Sequence, residues 1–380
     1  MDPIYLDHNA TTPLLPEVVD AMIPYLREHF GNPSSGHVYG ARTRAAVATA
    51  REQVAALLGC SDEEIVFTSG GTEANNLAIR GAANAYARRH VVTTKIEHPA
   101  TSRPVGALEA AGYRVTRLGV DRDGRARLDE AAVAICDETV LITVMASNNE
   151  TGVLQPVAQL ARLARLRGSI VHTDAAQSVG KVPFHVRELD VDLASIAGHK
   201  LYAPKGVGAL YVRRGVRVSP ILLGAGHERG LRPGTENVAS IVGLGVACDV
   251  ARRDLDVVGE RLRARRDLLW TRLSEAVPGL ALNGHATARL PNTLNVRFPG
   301  VLGSAVLAAA NDVAASTGSA CHEGNEDASP VIVAMGVSED AALGSVRLTV
   351  GRSTTEDEVE RAAAALSSAW RRLKGEGSRS

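Results

Sequence analysis

Ile170-Val-His-Thr-Asp-Ala-Ala-Gln177, followed by Asp192-Leu-Ala-Ser-Ile-Ala-Gly-His-Lys200, is the stretch that decides the fold. Each half contains a short apolar run and ends on polar or charged groups, and 26 residues separate Asp174 from Lys200, about one strand plus one crossover. Continuous apolar runs of this length read as strands buried on both faces. The pattern recurs at Glu64-Ile-Val-Phe-Thr, Val91-Val-Thr-Thr and Val140-Leu-Ile-Thr-Val. Between the runs lie amphipathic stretches, such as Val47, Ala50, Val54, Leu57 and Leu58 at three- and four-residue spacing, which Gly59 stops. Strand alternating with helix predicts an α/β fold: a mostly parallel mixed sheet flanked by helices, with right-handed crossovers. A ligand site is then expected at the carboxyl ends of the strands, where Asp174 and Lys200 fall.

Past about residue 250 the character changes. A charged helix is expected through Leu262-Arg-Ala-Arg-Arg-Asp-Leu-Leu-Trp, and strands near Asn292-Thr-Leu-Asn-Val-Arg and Ser345-Val-Arg-Leu-Thr-Val. The last helix opens at Thr355, whose spacing to Glu358 fits a capping box, and buries Val359, Ala362, Leu366, Trp370 and Leu373. This reads as a smaller α+β domain made of residues 1–13 and 253–380, beside a large domain over 14–252. The tail from Gly375 to Ser380 is expected to fray.

The 380 residues suffice for two domains with substantial cores. No apolar run approaches the roughly 20 residues of a membrane span, and Met1-Asp-Pro-Ile-Tyr-Leu-Asp carries no basic-then-apolar leader, so a cytoplasmic protein is expected. With 42 basic and 42 acidic residues the chain has no net charge with which to hold nucleic acid, and no direct nucleic-acid binding is expected. Cys60, Cys136, Cys248 and Cys321 are widely spaced without a C-x-x-C pattern, which argues against a metal site and for reduced thiols. Cys321 stands apart, because its flanks Thr317-Gly-Ser-Ala and His322-Glu-Gly-Asn are small and polar, as in an exposed loop.

Lysine and carboxylate together are what a pyridoxal phosphate site needs: an amine for the Schiff base, and an anion to keep the pyridine nitrogen protonated. The run Ser69-Gly-Gly-Thr-Glu-Ala-Asn-Asn76 follows the strand at Ile65 and opens a helix, where Gly71 and Thr72 could cradle a phosphate on backbone amides and a hydroxyl. It lacks the Gly-Lys-[Ser/Thr] ending of a nucleotide P-loop, and by itself it could be an ordinary capped turn. His98, at the end of a strand, could stack on a flat ring or be a loop histidine satisfied by backbone. Asn148-Asn149-Glu150 could offer an amide to a ring hydroxyl or simply form a turn, and Gln177 could reach a phenolic oxygen.

In combination these residues resemble the cysteine desulfurases, in the class V aminotransferase group of fold-type I pyridoxal phosphate enzymes. The resemblance runs from Tyr5-Leu-Asp-His-Asn-Ala-Thr-Thr12 and Phe30-Gly-Asn-Pro-Ser-Ser35 through Gly198-His-Lys200. It continues through Gly226-His-Glu-Arg-Gly and Gly234-Thr-Glu-Asn to Ser316-Thr-Gly-Ser-Ala-Cys321 and Val346-Arg-Leu. It implies Lys200 as the Schiff-base lysine, Asp174 at the pyridinium, and His98 as stacking residue and proton shuttle. It implies Thr72 and His199 at the phosphate and Gln177 and Asn149 at the ring oxygen. A homodimer is implied, in which Thr235 reaches the partner subunit's phosphate. Arg347 is the expected ligand of the substrate carboxylate, ahead of Arg352. Cys321 would attack the sulfur of bound L-cysteine, giving L-alanine and a persulfide that passes to a protein acceptor or scaffold.

The pathway served, such as iron–sulfur assembly, tRNA thiolation, cofactor sulfuration or DNA sulfur modification, is not encoded in these residues. Selenocysteine or other amino-acid lyase activity and a non-catalytic scaffold of the same fold are the alternatives. Two positions depart from the family pattern. Ala197 stands where many relatives carry a phosphate-binding serine, and an acidic segment follows Cys321 where small hydroxyl residues are usual.

Overall fold

The computed structural model describes residues 2–318 and 327–377. Its centre is a seven-stranded sheet in the order Ile65–Thr68, Gly208–Val212, Leu193–Ala197, Ile170–Asp174, Thr139–Thr143, His90–Thr94, Arg114–Leu118. All neighbours are parallel except Gly208–Val212, which runs antiparallel to both strands beside it. The five apolar runs singled out in the sequence are all strands of this sheet.

Side-chain alternation explains why those strands read as continuous apolar runs. Ile65, Phe67, Val92, Ile142, Ala194 and Ile196 enter the core on one face, with residues of the helices Val38–Leu58 and Val157–Arg165. Val66, Val91, Leu141, Leu193 and Leu210 enter the core on the other face, with the helices Gly71–Asn84 and Pro99–Ala110. Helices on both faces leave neither face polar. Gly59 ends the first of these helices in the left-handed region at φ +68°, and a Cβ there would sit 2.9 Å from His185 Nδ1.

A second core forms around the antiparallel strands Ser345–Thr349, Thr293–Arg297 and Ala281–Leu282. The short strand Ile4–Tyr5 joins this unit by pairing in parallel with Val313–Ala314. The helix Val238–Ala276 serves both cores: Ile241, Leu244, Cys248 and Ala251 lie in the first, and Val258, Leu262, Leu269 and Leu273 in the second. Residue 252, the expected division, lies within this helix. The final helix Glu356–Gly377 carries the expected capping box, with Glu358 N donating to Thr355 Oγ1 (3.1 Å) and Thr355 N to Glu358 Oε2 (2.7 Å). No helix among the described residues is long and apolar enough to cross a membrane.

Candidate active site

Five strand ends open onto one cavity of about 720 Å³. Its lining includes Gly71, Thr72, His98, Asn149, Asp174, Gln177, Ala197, His199, Lys200 and Arg347, so nearly every expected site residue converges there. Thr235 lies on an exposed loop outside this lining, and Cys321 lies outside the described residues.

Asp174 ends its strand 8% exposed and accepts from Asn75 Nδ2 (2.7 Å) and Ala176 N (3.0 Å). Asn75 sits one turn after Thr72 on the helix Gly71–Asn84, so the helix that opens at the glycine pair also orients the carboxylate. Gly70, at φ +153°, lets that helix start hard against the sheet. At the facing position, a Cβ on Gly208 would lie 2.8 Å from Gly70 Cα. The first two residues of the helix, Gly71 and Thr72, line the cavity, and a helix N-terminus there is suited to an anion.

Lys200 closes the short turn Gly198–Lys200 after its strand. Its Nζ donates to the backbone carbonyls of Ala10, at 2.7 Å, and Asn9. Burial, then the Arg347 charge, lowers its pKa to about 8. The amine therefore loses its proton far more readily than an exposed lysine. His199 lies beside it, with Nδ1 3.2 Å from Thr11 Oγ1, and burial lowers its pKa to about 4.

His98 caps the helix Pro99–Ala110: its Nδ1 accepts from Ala100 N at 3.0 Å. Burial lowers its pKa despite the opposing Asp174 charge. In the neutral ring the proton must then sit on Nε2, because Nδ1 is the acceptor. Just before it, the half-buried Glu97 accepts from Thr94 Oγ1 (2.6 Å) and Met145 N (3.1 Å), and desolvation pushes its carboxyl up to about 8.

Arg347 reaches the cavity from the second unit. Strand alternation sends Val346 and Leu348 into that unit's core and Arg347 to the opposite face. Its Nη2 donates to Asp7 Oδ1 (2.7 Å) and its Nη1 to Asn149 O (3.1 Å). Its Nε is buried with no hydrogen-bond partner among the described residues. Arg352 is elsewhere: Nη1 donates to Asp254 Oδ2 (3.0 Å), and the guanidinium lies over the Tyr202 ring.

The aminotransferase class-V family model matches residues 4–362. The chain is 47% identical over 377 residues to the cysteine desulfurase IscS of Anaeromyxobacter dehalogenans, covering 98% of this chain and 93% of that protein. The chain belongs to the cysteine desulfurases of the aminotransferase class-V family. Among solved structures, a NifS-like protein aligns with a TM-score of 0.90 at 35% identity, covering 98% of this chain and 99% of that one. The structure of SspA in complex with cysteine aligns with a TM-score of 0.81 at 34% identity, covering 91% and 98%.

The N-terminal segment contributes more to the cavity than its sequence suggested. Asn9 sends Nδ2 to Thr293 Oγ1 (2.9 Å) and takes Asn292 Nδ2 on Oδ1 (3.0 Å), while its carbonyl accepts from Gln177 Nε2 (2.9 Å). Asp7 holds Arg347. Asn75 and Glu150 on the cavity wall, and Lys181 behind Gln177, are further residues to which sequence reasoning gave no role. Glu150 is buried on the wall, accepting from Ser329 Oγ at 2.5 Å.

The donor set suits a phosphorylated pyridine aldehyde. It offers an amine with lowered pKa, a buried carboxylate already oriented by two donors, a helix N-terminus with a hydroxyl residue, and an unpartnered guanidine N–H for an anion.

Proposed function

We propose that this chain converts L-cysteine to L-alanine in this cavity, with pyridoxal 5′-phosphate as cofactor and Cys321 as the sulfur acceptor. The observation that carries the reading is the placement of Lys200, Asp174 and Arg347 on the wall of one cavity although they come from two separately cored units. Lys200 would hold the cofactor covalently and Asp174 would pair with its ring nitrogen. Gln177 and Asn149 would serve its ring oxygen, and Gly71, Thr72 and His199 its phosphate. When bound, the cofactor supplies an electron sink for charge developing at the substrate's α-carbon.

The chain's own groups do the rest. Arg347 receives the substrate carboxylate, with Asp7 and Asn149 O fixing the plane of its fork. Lys200, with its pKa near 8, gives up and recovers a proton close to neutral pH. His98 holds a proton on Nε2 in its neutral form and can move it at the cavity wall. The Cys321 thiolate forms an S–S bond as the substrate's C–S bond breaks. The electron pair stays with carbon, which takes up a proton, so alanine and a persulfide result. That SspA was solved with cysteine supports the substrate reading for a chain this similar. A homodimer in which Thr235 completes the partner's phosphate site, an acceptor protein for the persulfide, and a cytoplasmic setting belong to the same proposal.

The test is alanine formation from L-cysteine under reductant, alongside the visible absorption of the purified protein. Wild type is expected to be yellow, bleached by borohydride, and active. Lys200→Ala is expected to bind pyridoxal phosphate weakly and form no alanine, and measurable turnover by that variant would overturn the assignment.

A further inference from the structure

Lys181 is an expensive residue to bury. It is 7% exposed, and among the described residues its Nζ meets no carboxylate, only Gln177 Oε1 at 2.8 Å and Asn9 Oδ1 at 3.4 Å. Burial, then the charges of Lys200 and Arg347, lowers its pKa to about 7. An apolar side chain would fill the space without that desolvation cost, so packing does not account for a lysine here. It also does not contact the cavity, since it is absent from the lining.

Its principal partner does line the cavity. The protonated amine can only donate, and the Asn9 carbonyl on the other side of the amide can only accept, so Oε1 faces Lys181 and Nε2 faces Asn9. The Gln177 Nε2 is then turned the other way, towards Asn9 O at 2.9 Å and the cavity. One of its two N–H bonds is taken by Asn9, and the second is left for a ligand acceptor. A half-turn of the amide would bring donor against donor at Lys181 and acceptor against acceptor at Asn9 O. Asn9 needs no help from Lys181, because Asn292 Nδ2 and Thr293 Oγ1 already hold both ends of its amide.

We infer that Lys181 is a positioning residue that locks the Gln177 amide with Nε2 towards the cofactor's ring oxygen. The inference rests on the cofactor reading of the cavity. Removing Lys181 leaves Gln177 Oε1 a buried acceptor without a donor, so the amide keeps only the Asn9 contact and is held less firmly in the orientation that offers Nε2 to the ring oxygen.

The experiment is a thermodynamic cycle on the full chain, stripped of cofactor and titrated with pyridoxal 5′-phosphate, reading the dissociation constant and the borohydride-sensitive visible band. Lys181→Met is expected to weaken binding about tenfold, the scale of one hydrogen bond to a buried acceptor. It should also change the band in the same way as Gln177→Ala. In the Gln177→Ala background, adding Lys181→Met is expected to change binding less than twofold, because the group it acts through is gone. Lys181→Leu is carried in parallel in case the methionine variant does not fold. Binding within twofold of wild type in the single variant would overturn the inference. So would an equal loss in both backgrounds, which marks a merely structural role. Both results leave the cofactor reading intact. A wild type that takes up no pyridoxal phosphate would instead remove that reading and this inference together.

Discussion

Arg347→Lys is the change that most directly probes substrate recognition. Arginine has five N–H donors in a planar fork. Here one goes to Asp7 Oδ1 at 2.7 Å and one to Asn149 O at 3.1 Å, while Nε is buried without a partner among the described residues. The donors left over include Nε, so the fork can keep both anchors and still offer two parallel bonds to a carboxylate. Lysine presents its donors from a single point and cannot hold Asp7, Asn149 O and a substrate at once. Losing one charge-assisted bond costs about 1.5–3 kcal/mol, a factor of about 10 to 150 in affinity. Initial rates of alanine formation against L-cysteine concentration are expected to show KM raised by that factor, with kcat falling less and the visible band retained. Arg352→Lys is the matched control, because that residue is tied to Asp254 and Tyr202 away from the cavity, and KM should stay within about twofold. A KM for Arg347→Lys within twofold of wild type would refute the reasoning, and a rise confined to Arg352→Lys would exchange the two roles.

Cys321→Ser is expected to keep the yellow cofactor and lose alanine formation; undiminished alanine from that variant would mean that another nucleophile takes the sulfur. Ala197→Ser should tighten cofactor binding about fivefold, the worth of one neutral hydrogen bond, since Ala197 lines the cavity where a Cβ on Gly71 would come within 3.1 Å of it. Titration of the stripped protein with pyridoxal phosphate measures this, and weaker binding would show that the added oxygen crowds the helix start. Lys181→Met should raise the thermal midpoint of the cofactor-free chain at pH 7 relative to wild type. With a folded pKa of about 7 against 10.5 for an exposed lysine, the unfolded chain binds the extra proton between those values. The wild-type penalty is therefore full below pH 7 and fades as pH rises towards 10.5. An advantage for the variant that does not shrink between pH 7 and 10 would contradict the burial argument.

The sheet was legible because its strands are buried on both faces, and two-sided burial writes itself as a short apolar run. Strand direction writes nothing into composition. Gly208–Val212 runs against its neighbours, and no residue within it announces that. The choice between Arg347 and Arg352 has a visible signal in alternation. Val346, Leu348 and Val350 are apolar and enter one core, which turns Arg347 and Thr349 to the opposite side, whereas Arg352 lies past the end of the strand. The parts of the site that stayed hidden are those held by partners far away in sequence. Asn9 meets Gln177, Thr293 and Thr349 across most of the chain, and a polar residue fixed by such contacts looks like any loop asparagine.

The geometry gives that N-terminal segment a mechanical meaning. Asp7 anchors Arg347 on the second unit, Asn9 and Ala10 offer their carbonyls to Lys200 on the first, and Thr12 Oγ1 donates to the carbonyl of His199 at 3.0 Å. A few consecutive residues thus touch both Arg347, proposed to receive the substrate carboxylate, and Lys200, proposed to hold the cofactor. Strand Ile4–Tyr5 fixes one end by pairing with Val313–Ala314, only a few residues before the stretch that carries Cys321. The distance from Lys200 to Arg347 is therefore set by this short segment as well as by the packing of the two cores. A lesion at Asp7 should accordingly show in substrate KM, whereas one at Thr12 should show in cofactor retention, although only four residues lie between them.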